Sequence, residues 1–260
     1  MNTALPAPQP PLDPTQPFTV LRPGSTAVLV IHGFTGSPLS VRPWANAFLE
    51  AGFSVSVPLL PGHGTRWEDL NGTSYKAYIN AVSAHFDRLR REHENVVVAG
   101  LSMGGTLALR LGEIRDPAGI ITVNPSLKFA SPTASLAPAL RWVVKSVEPI
   151  RDDIAKPGVT EGAYSRTPVG GVAELGKLMA VTRGKLSQIT APVLLFRSAT
   201  DHVVPDSSIK ILEKGLAKNP LKGSNVQVTA LPNSFHVATL DYDAAAIESG
   251  SVAFVRGLVK

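Results

Sequence analysis

The chain has 260 residues, 44% of them hydrophobic and 17% charged, with a formal net charge of +5. That length supports one sizeable core, or one core carrying a small insertion, and the composition is that of an ordinary globular protein. The absence of cysteine rules out a disulfide framework and a thiolate metal site, and basic residues dispersed among acids, as in Asp87–Glu94, argue against a nucleic-acid groove.

The N-terminal MNTALPAPQPPLDPTQ has neither a basic n-region nor an apolar h-region, so it is not expected to be a secretory signal. Its prolines predict an extended, poorly ordered leader over residues 1–20. With no apolar run near the ~18 residues of a membrane span, a soluble, cytoplasmic protein is expected. TAVLVIHG (Thr26–Gly33) then reads as a strand, followed by the turn-rich HGFTG and the helical WANAFLEAG, for which Gly52 is a well-placed C-cap. FSVSVPLL (Phe53–Leu60) is a second strand, LLPGHG a loop, and Tyr75–Glu94 a helix carrying His85 and His93. NVVVAG (Asn95–Gly100) and GIITVN (Gly119–Asn124) bracket the helical GGTLALRLGEI. PVLLFRS (Pro192–Ser198), SSIKILEKGLAK, VQVTAL (Val226–Leu231) and Ala244–Val259 continue the alternation. Strands apolar at nearly every position are buried on both faces, and strand alternating with helix means a mostly parallel, doubly wound α/β sheet. Lys210, Lys214, Lys218 and Lys222 make one stripe of a helix, read as a solvated face.

One interval breaks the rhythm: about 65 residues separate Asn124 from Pro192, too many for a single crossover. Leu136, Leu140, Val143/Val144 and Val147 form one helical stripe in it; Val172, Leu175, Leu178/Met179 and Leu186 form another. Residues 126–170 are expected to be a cap inserted over the strand ends, with the second helix packing back on the sheet. The core then comprises 21–125 and 171–260.

Gly100-Leu101-Ser102-Met103-Gly104 stands where the third long strand meets a helix. A G-x-S-x-G arises by chance about one time in ten in such a chain. Between a buried strand and a helix, however, it has the setting of a nucleophile elbow, with the serine at a strained corner and the helix N-terminus behind it. Serine needs a base, and in this strand order acid and base should follow it, acid first. FRSATDHVVP places Asp201 in the loop after one strand, and LPNSFHVATLDYD places His236 in the loop after the last. Asp206 is the rival acid, but its place at a helix start suits an N-cap. His202 adjoins Asp201 but should point elsewhere; His32 and His63 read as loop residues. The backbone N–H groups of Phe34, after the first strand, and Met103, after the serine, are the expected oxyanion donors. Their side chains are then free to line an acyl pocket. Nothing in this chemistry requires a metal or cofactor.

HGFTGSPLSVRPWA, LLPGHGTRWEDL, GLSMGGTLAL, DHVVP and NSFHVATLDYD together resemble the α/β-hydrolase superfamily, and within it the bacterial monoacylglycerol lipases, from about Ala27 to the C-terminus. The resemblance implies an α/β-hydrolase fold with a cap and a serine hydrolase that cleaves one fatty acyl chain from glycerol. It carries the triad onto Ser102, Asp201 and His236 and the oxyanion hole onto Phe34 and Met103. It also assigns Glu161, just before Tyr164-Ser165-Arg166-Thr167-Pro168, to the glycerol head; without it, Glu161 reads as a solvated loop acid. A lipid ester is the expected partner, with at most transient membrane-surface contact through the cap. The alternatives are a short-chain carboxylesterase and a catalytically silent hydrolase fold used for binding.

Overall fold

The computed structural model describes residues 13–219 and 226–259. Its main sheet has seven strands: β1 (Phe18–Val20), β2 (Thr26–Ile31), β3 (Ser54–Val57), β4 (Asn95–Leu101), β5 (Gly119–Val123), β8 (Val193–Ser198) and β9 (Val226–Leu231). Their spatial order is β1-β3-β2-β4-β5-β8-β9, and every pairing is parallel except the antiparallel β1–β3 edge. The expected open α/β sheet is therefore present. A pair of two-residue strands, β6 (Ser146–Val147) and β7 (Thr167–Pro168), forms a separate small ribbon.

Alternation along the central strands explains their nearly unbroken apolar sequence. Ala27, Leu29 and Ile31 of β2 face one core with Val96, Val98, Ile120, Val193 and Leu195. Val28 and Val30 face the other with Val97, Ala99, Ile121, Leu194 and Phe196. A strand covered on both sides has no polar face to show. Helices α3 (Tyr75–Glu92), α4 (Met103–Ile114) and α7 (Asp206–Leu216) cover the first face. Helices α1 (Arg42–Glu50) and α8 (Ala244–Leu258) cover the second, joined there by the Trp44 Nε1–H donating to Ser251 Oγ at 2.9 Å. A short α2 (Trp67–Gly72) precedes α3. Gly52, past the end of α1, has φ +95°, as a C-capping glycine should.

Three expectations are corrected. The leader ends earlier than residue 20, because Phe18 and Val20 are buried in the second core while the strand pairs with β3. Residues 1–12 of that leader and Lys222 of the lysine stripe lie outside the described residues. The stripe from Leu136 to Val147 is not one helix: a 3-10 turn (Pro132–Leu136), a four-residue α5 (Ala137–Leu140) and β6 divide it. Its residues are exposed, Trp142 at 76% and Val143 at 84%, so no core contact drives a longer helix here. The second stripe is a helix, α6 (Val169–Arg183), only as far as Met179, with Leu186 in a separate 3-10 turn (Leu186–Gln188). Helix α6 packs against α2, α3, α4 and α5, and its Leu175, Leu178 and Met179 join the first core. Among the described residues, no helix is long and apolar enough to cross a membrane.

Candidate active site

Ser102 stands between β4 and α4 with φ +56° and ψ −116°, a left-handed conformation costly for a residue with a side chain. The two glycines permit that corner. A Cβ on Gly100 would run into the backbone of Gly104, and one on Gly104 would run into the carbonyl oxygens of Ile31 and His32. The corner is held by the Ser102 N–H donating to the Val123 carbonyl at 2.9 Å and by the Ser102 carbonyl accepting from the N–H groups of Thr106 and Ser126.

The structure brings Asp201 and His236 to this serine. His236 Nε2 lies 2.9 Å from Ser102 Oγ, and His236 Nδ1 lies 2.9 Å from Asp201 Oδ2. A carboxylate on Nδ1 assigns the proton to that nitrogen and leaves Nε2 to accept from the serine. The other Asp201 oxygen accepts the N–H groups of Val203 at 2.9 Å and Val204 at 2.7 Å. Burial works against the Asp201 charge, but the His236 N–H, the His236 charge and the two amides outweigh it and hold the carboxyl below its usual range. For His236, burial also disfavours charge. The hydrogen bond and charge of Asp201 prevail, helped by Glu161 and Asp153, and the imidazole sits above its ordinary value. Asp206 is elsewhere: Pro205 is the cap of α7, Asp206 is its first residue, and its carboxylate pairs with Arg197. The N-cap reading is corrected to that ion pair.

The loop after β2 closes against the serine: a Cβ added to Gly33 would stand 3.5 Å from Ser102 Cβ. It is fixed from below by His32, whose Nδ1–H donates to the Gly33 carbonyl at 2.9 Å and whose Nε2 accepts the Leu60 N–H at 3.1 Å. Burial pushes this imidazole down to about 3, so it is a neutral crosslink. Phe34 follows in that loop, and Met103 is the first residue of α4, where no intrahelical acceptor exists for its N–H. The two side chains differ. Phe34 lines the cavity, whereas Met103 is fully buried in the sheet–helix core, against the expectation that it lines the pocket.

Above the serine is a cavity of about 440 Å³. Phe34, Phe129, Leu140, Val147, Val172 and Leu175 give it apolar walls, while Ser102, His236 and Glu161 supply polar groups. Glu161 is 7% exposed, so it is no solvated loop acid. Its Oε1 accepts the Asp152 N–H at 3.1 Å, its own N–H donates to Asp152 Oδ1 at 2.9 Å, and burial raises its carboxyl. Among the described residues, no cluster of three His, Cys, Asp or Glu side chains could hold a metal ion.

Several site residues carry no local signal in the sequence. Asn124 (φ +46°) ends β5 and donates to both Ser198 Oγ and the His236 carbonyl, at 2.9 and 2.8 Å. Asp241, buried in the NSFHVATLDYD segment, accepts the N–H groups of Ala155, Lys156, Phe235 and Tyr242. His202 bonds elsewhere than to the serine, as expected: its Nδ1 donates to Asp153 at 2.7 Å, while the residue lines the same cavity. His85 and His93 bond to Ser56 and Ser54 of β3.

The chain is similar to several known hydrolases. The family model for serine aminopeptidase S33 matches residues 23–243. A thermostable monoacylglycerol lipase from Bacillus sp. (strain H-257) is 38% identical over 232 residues, 89% of this chain and 90% of that protein. A carboxylesterase from Bacillus subtilis (strain 168) is 26% identical, covering 94% and 97% of the two chains. A solved structure from work on two metagenome-derived lipolytic enzymes, LipS and LipT, superposes with a TM-score of 0.87 at 33% identity, covering 95% of this chain and 99% of that one. A sheet, elbow and loop order of this kind, matched along nearly the whole chain, places it in the serine aminopeptidase S33 family of α/β-hydrolases.

Proposed function

We propose that the protein is a carboxylic ester hydrolase acting on monoacylglycerols, with Ser102, His236 and Asp201 as nucleophile, base and orienting acid. His236 Nε2 takes the hydroxyl proton as Ser102 Oγ attacks the acyl carbonyl. Asp201 keeps Nδ1 protonated and stabilises the imidazolium. The N–H groups of Phe34 and Met103 bind the oxyanion, and the imidazolium returns its proton to the departing glycerol oxygen. Water, deprotonated by the same imidazole, then attacks the acyl-enzyme; the bond from the acyl carbon to Ser102 Oγ breaks, the imidazolium returns the proton to Oγ, and the fatty acid leaves.

The observation that carries this reading is the continuous hydrogen-bonded chain Ser102–His236–Asp201 at the floor of an apolar cavity whose wall includes the buried carboxylate of Glu161. The apolar walls suit an acyl chain, and Glu161 would accept hydrogen bonds from free glycerol hydroxyls. We assign residues 126–170 as a cap, because Phe129, Leu140, Val147 and Glu161 all line the cavity above the serine. Leu136, Leu140, Trp142, Val143, Val147 and Ile150 are exposed on it, with Arg141, Lys145 and Arg151 interleaved. Such a face favours transient contact with an anionic lipid surface. The likeness to a carboxylesterase supports a second reading, a short-chain esterase.

A fluorophosphonate probe with peptide mapping tests the nucleophile: labelling at Ser102 is expected, and an unlabelled Ser102 refutes the mechanism. Rates over monoacylglycerols of graded chain length, with di- and triacylglycerols beside them, separate the readings. A preference for short acyl groups without regard to the alcohol supports the esterase. Turnover of an aminoacyl anilide in preference to both would return the chain to the peptidase activity that names its family.

A further inference from the structure

The acid and the base of the site stand on different loops, one after β8 and one after β9. The ladder between those strands ends at Ser198–Leu231, followed by one more bond from the Ala199 N–H to the Leu231 carbonyl. Beyond that point the Ser198 hydroxyl donates to the Phe235 carbonyl at 2.7 Å, and the register between Asp201 and His236 has a further source.

That source comes from a third segment. Asp153 Oδ1 accepts His202 Nδ1–H at 2.7 Å, and Oδ2 accepts the N–H groups of His202 at 3.1 Å and His236 at 3.2 Å. The Asp153 carbonyl accepts the Val237 N–H at 3.0 Å. One residue thus binds the neighbour of the acid, the base itself and the residue after the base. From the opposite side, Asn124 donates to the His236 carbonyl, so the His236 peptide is gripped at both its polar groups. The His202 ring stands edge-on to Phe235 with centroids 4.7 Å apart, which fills the angle between the two loops. Asp241 continues the seam by accepting from Ala155 and Lys156 on one side and Phe235 on the other. Asp153 keeps only 15% of its side chain exposed, so its bonds compete little with water.

We propose that Asp153 is a positioning residue for the hydrolysis, a clamp from the segment between β5 and β8 that sets the Asp201 loop and the His236 loop in register. The inference rests on the proposed hydrolysis at Ser102. It extends to charge: the groups that favour protonated His236 are Asp201, Glu161 and Asp153, two of them from the cavity-covering segment. A fixed carboxylate behind the base both orients it and stabilises the imidazolium that forms when Ser102 is deprotonated.

The test uses the full chain, Asp153→Ala, Asp153→Asn and His202→Ala, with active sites counted by fluorophosphonate and turnover measured on a p-nitrophenyl ester, which has no glycerol head. Displacement of the base by a fraction of an ångström to 1 Å should lower kcat per titrated site in Asp153→Ala by about tenfold to a hundredfold, with KM little changed. Asp153→Asn keeps an acceptor oxygen and should fall less, but the acid limb of its pH profile should move to lower pH. His202→Ala should show a smaller loss of kcat, since the His236 and Val237 amides keep their acceptor. A merely structural aspartate would lower the fraction of titratable enzyme and leave turnover per site untouched. Unchanged kcat per site in Asp153→Ala overturns the inference; should that variant not fold, an unmoved limb in Asp153→Asn does so. Absence of labelling in the unaltered enzyme overturns the hydrolase reading instead.

Discussion

Replacing Glu161 with glutamine isolates the contribution of one charge. The carboxylate is almost fully buried, with Oε2 near the Gly36 backbone and Oε1 holding the Asp152 N–H. Glutamine has the same length, and its amide oxygen can still accept that N–H, so the local chain path should survive. What changes is the acceptor that the proposed function offers to the glycerol hydroxyls: only the neutral amide oxygen can still accept, because the NH2 group that replaces Oε2 can only donate. A hydrogen bond to a charged group contributes ~1.5–3 kcal/mol and a neutral one ~0.5–1.5 kcal/mol. The difference, on the order of 1–1.5 kcal/mol, is about a tenfold loss in kcat/KM for a monoacylglycerol. Alanine removes the acceptor entirely and should lose roughly tenfold to a hundredfold, but it also strips the Asp152 N–H of its partner, so glutamine is the cleaner variant. The assay compares a monoacylglycerol with the p-nitrophenyl ester of the same acyl chain, on the pH plateau where His236 is neutral in both enzymes. Only the first substrate has a head to lose. Equal losses on both would show that Glu161 merely shapes the cavity, and no loss on either would remove it from substrate recognition.

Ser102→Ala should reduce kcat by on the order of 10⁶ and Asp201→Asn by ~10⁴, with the fold intact by circular dichroism. Asp206→Asn should be mild, because that carboxylate serves Arg197; a reversed order for the two aspartates would refute the acid assignment. Because Asp201 and its neighbours raise His236, and the base must be neutral, kcat/KM should fall as pH drops through a value above the ~6.5 of free histidine. A profile flat down to pH 5 would contradict it. Gly104→Ala should cost at least ~1–3 kcal/mol in chemical denaturation, since its Cβ meets two carbonyl oxygens that belong to β2 and the following loop and cannot rotate away. A stability equal to the parent would mean the corner is looser than described.

What could be read from the residues had a local physical cause. β2, β4, β5 and β8 were legible because burial on both faces leaves a strand no polar side. Ser102 was legible because a plain strand–helix turn has no need of a serine between two crowded glycines, whereas a nucleophile held at a strained corner needs all three. Chain order then led to Asp201 and His236. The failures are of a different kind. The stripe from Leu136 to Val147 has helical spacing, but that spacing implies a helix only where one face is buried, and here the residues are exposed. β1 is three residues long, too short to show a period. Asp153, Asn124 and Asp241 each meet backbone groups far along the chain, 83 residues for Asp153 and His236, 112 for Asn124 and His236 and 86 for Asp241 and Ala155, and a single polar residue in a loop announces no such partner. Glu161 was reached through family likeness; its burial follows from the fold.

Leu140, Val147 and Ile150 each line the cavity and stand exposed at its rim. Apolar side chains of the cavity lining therefore also reach the outside. Wetting a hydrocarbon chain costs ~0.8 kcal/mol for each methylene, so a dodecyl chain passing through water on its way in would face a barrier on the order of 9 kcal/mol. A chain handed along a continuous hydrocarbon-like path is never wetted along its whole length at once. The barrier to loading then depends on the few methylenes at the rim at any moment and becomes nearly independent of total chain length. If the proposed contact with a lipid surface holds, turnover follows how many substrate molecules share that surface more than the amount dissolved in the bulk.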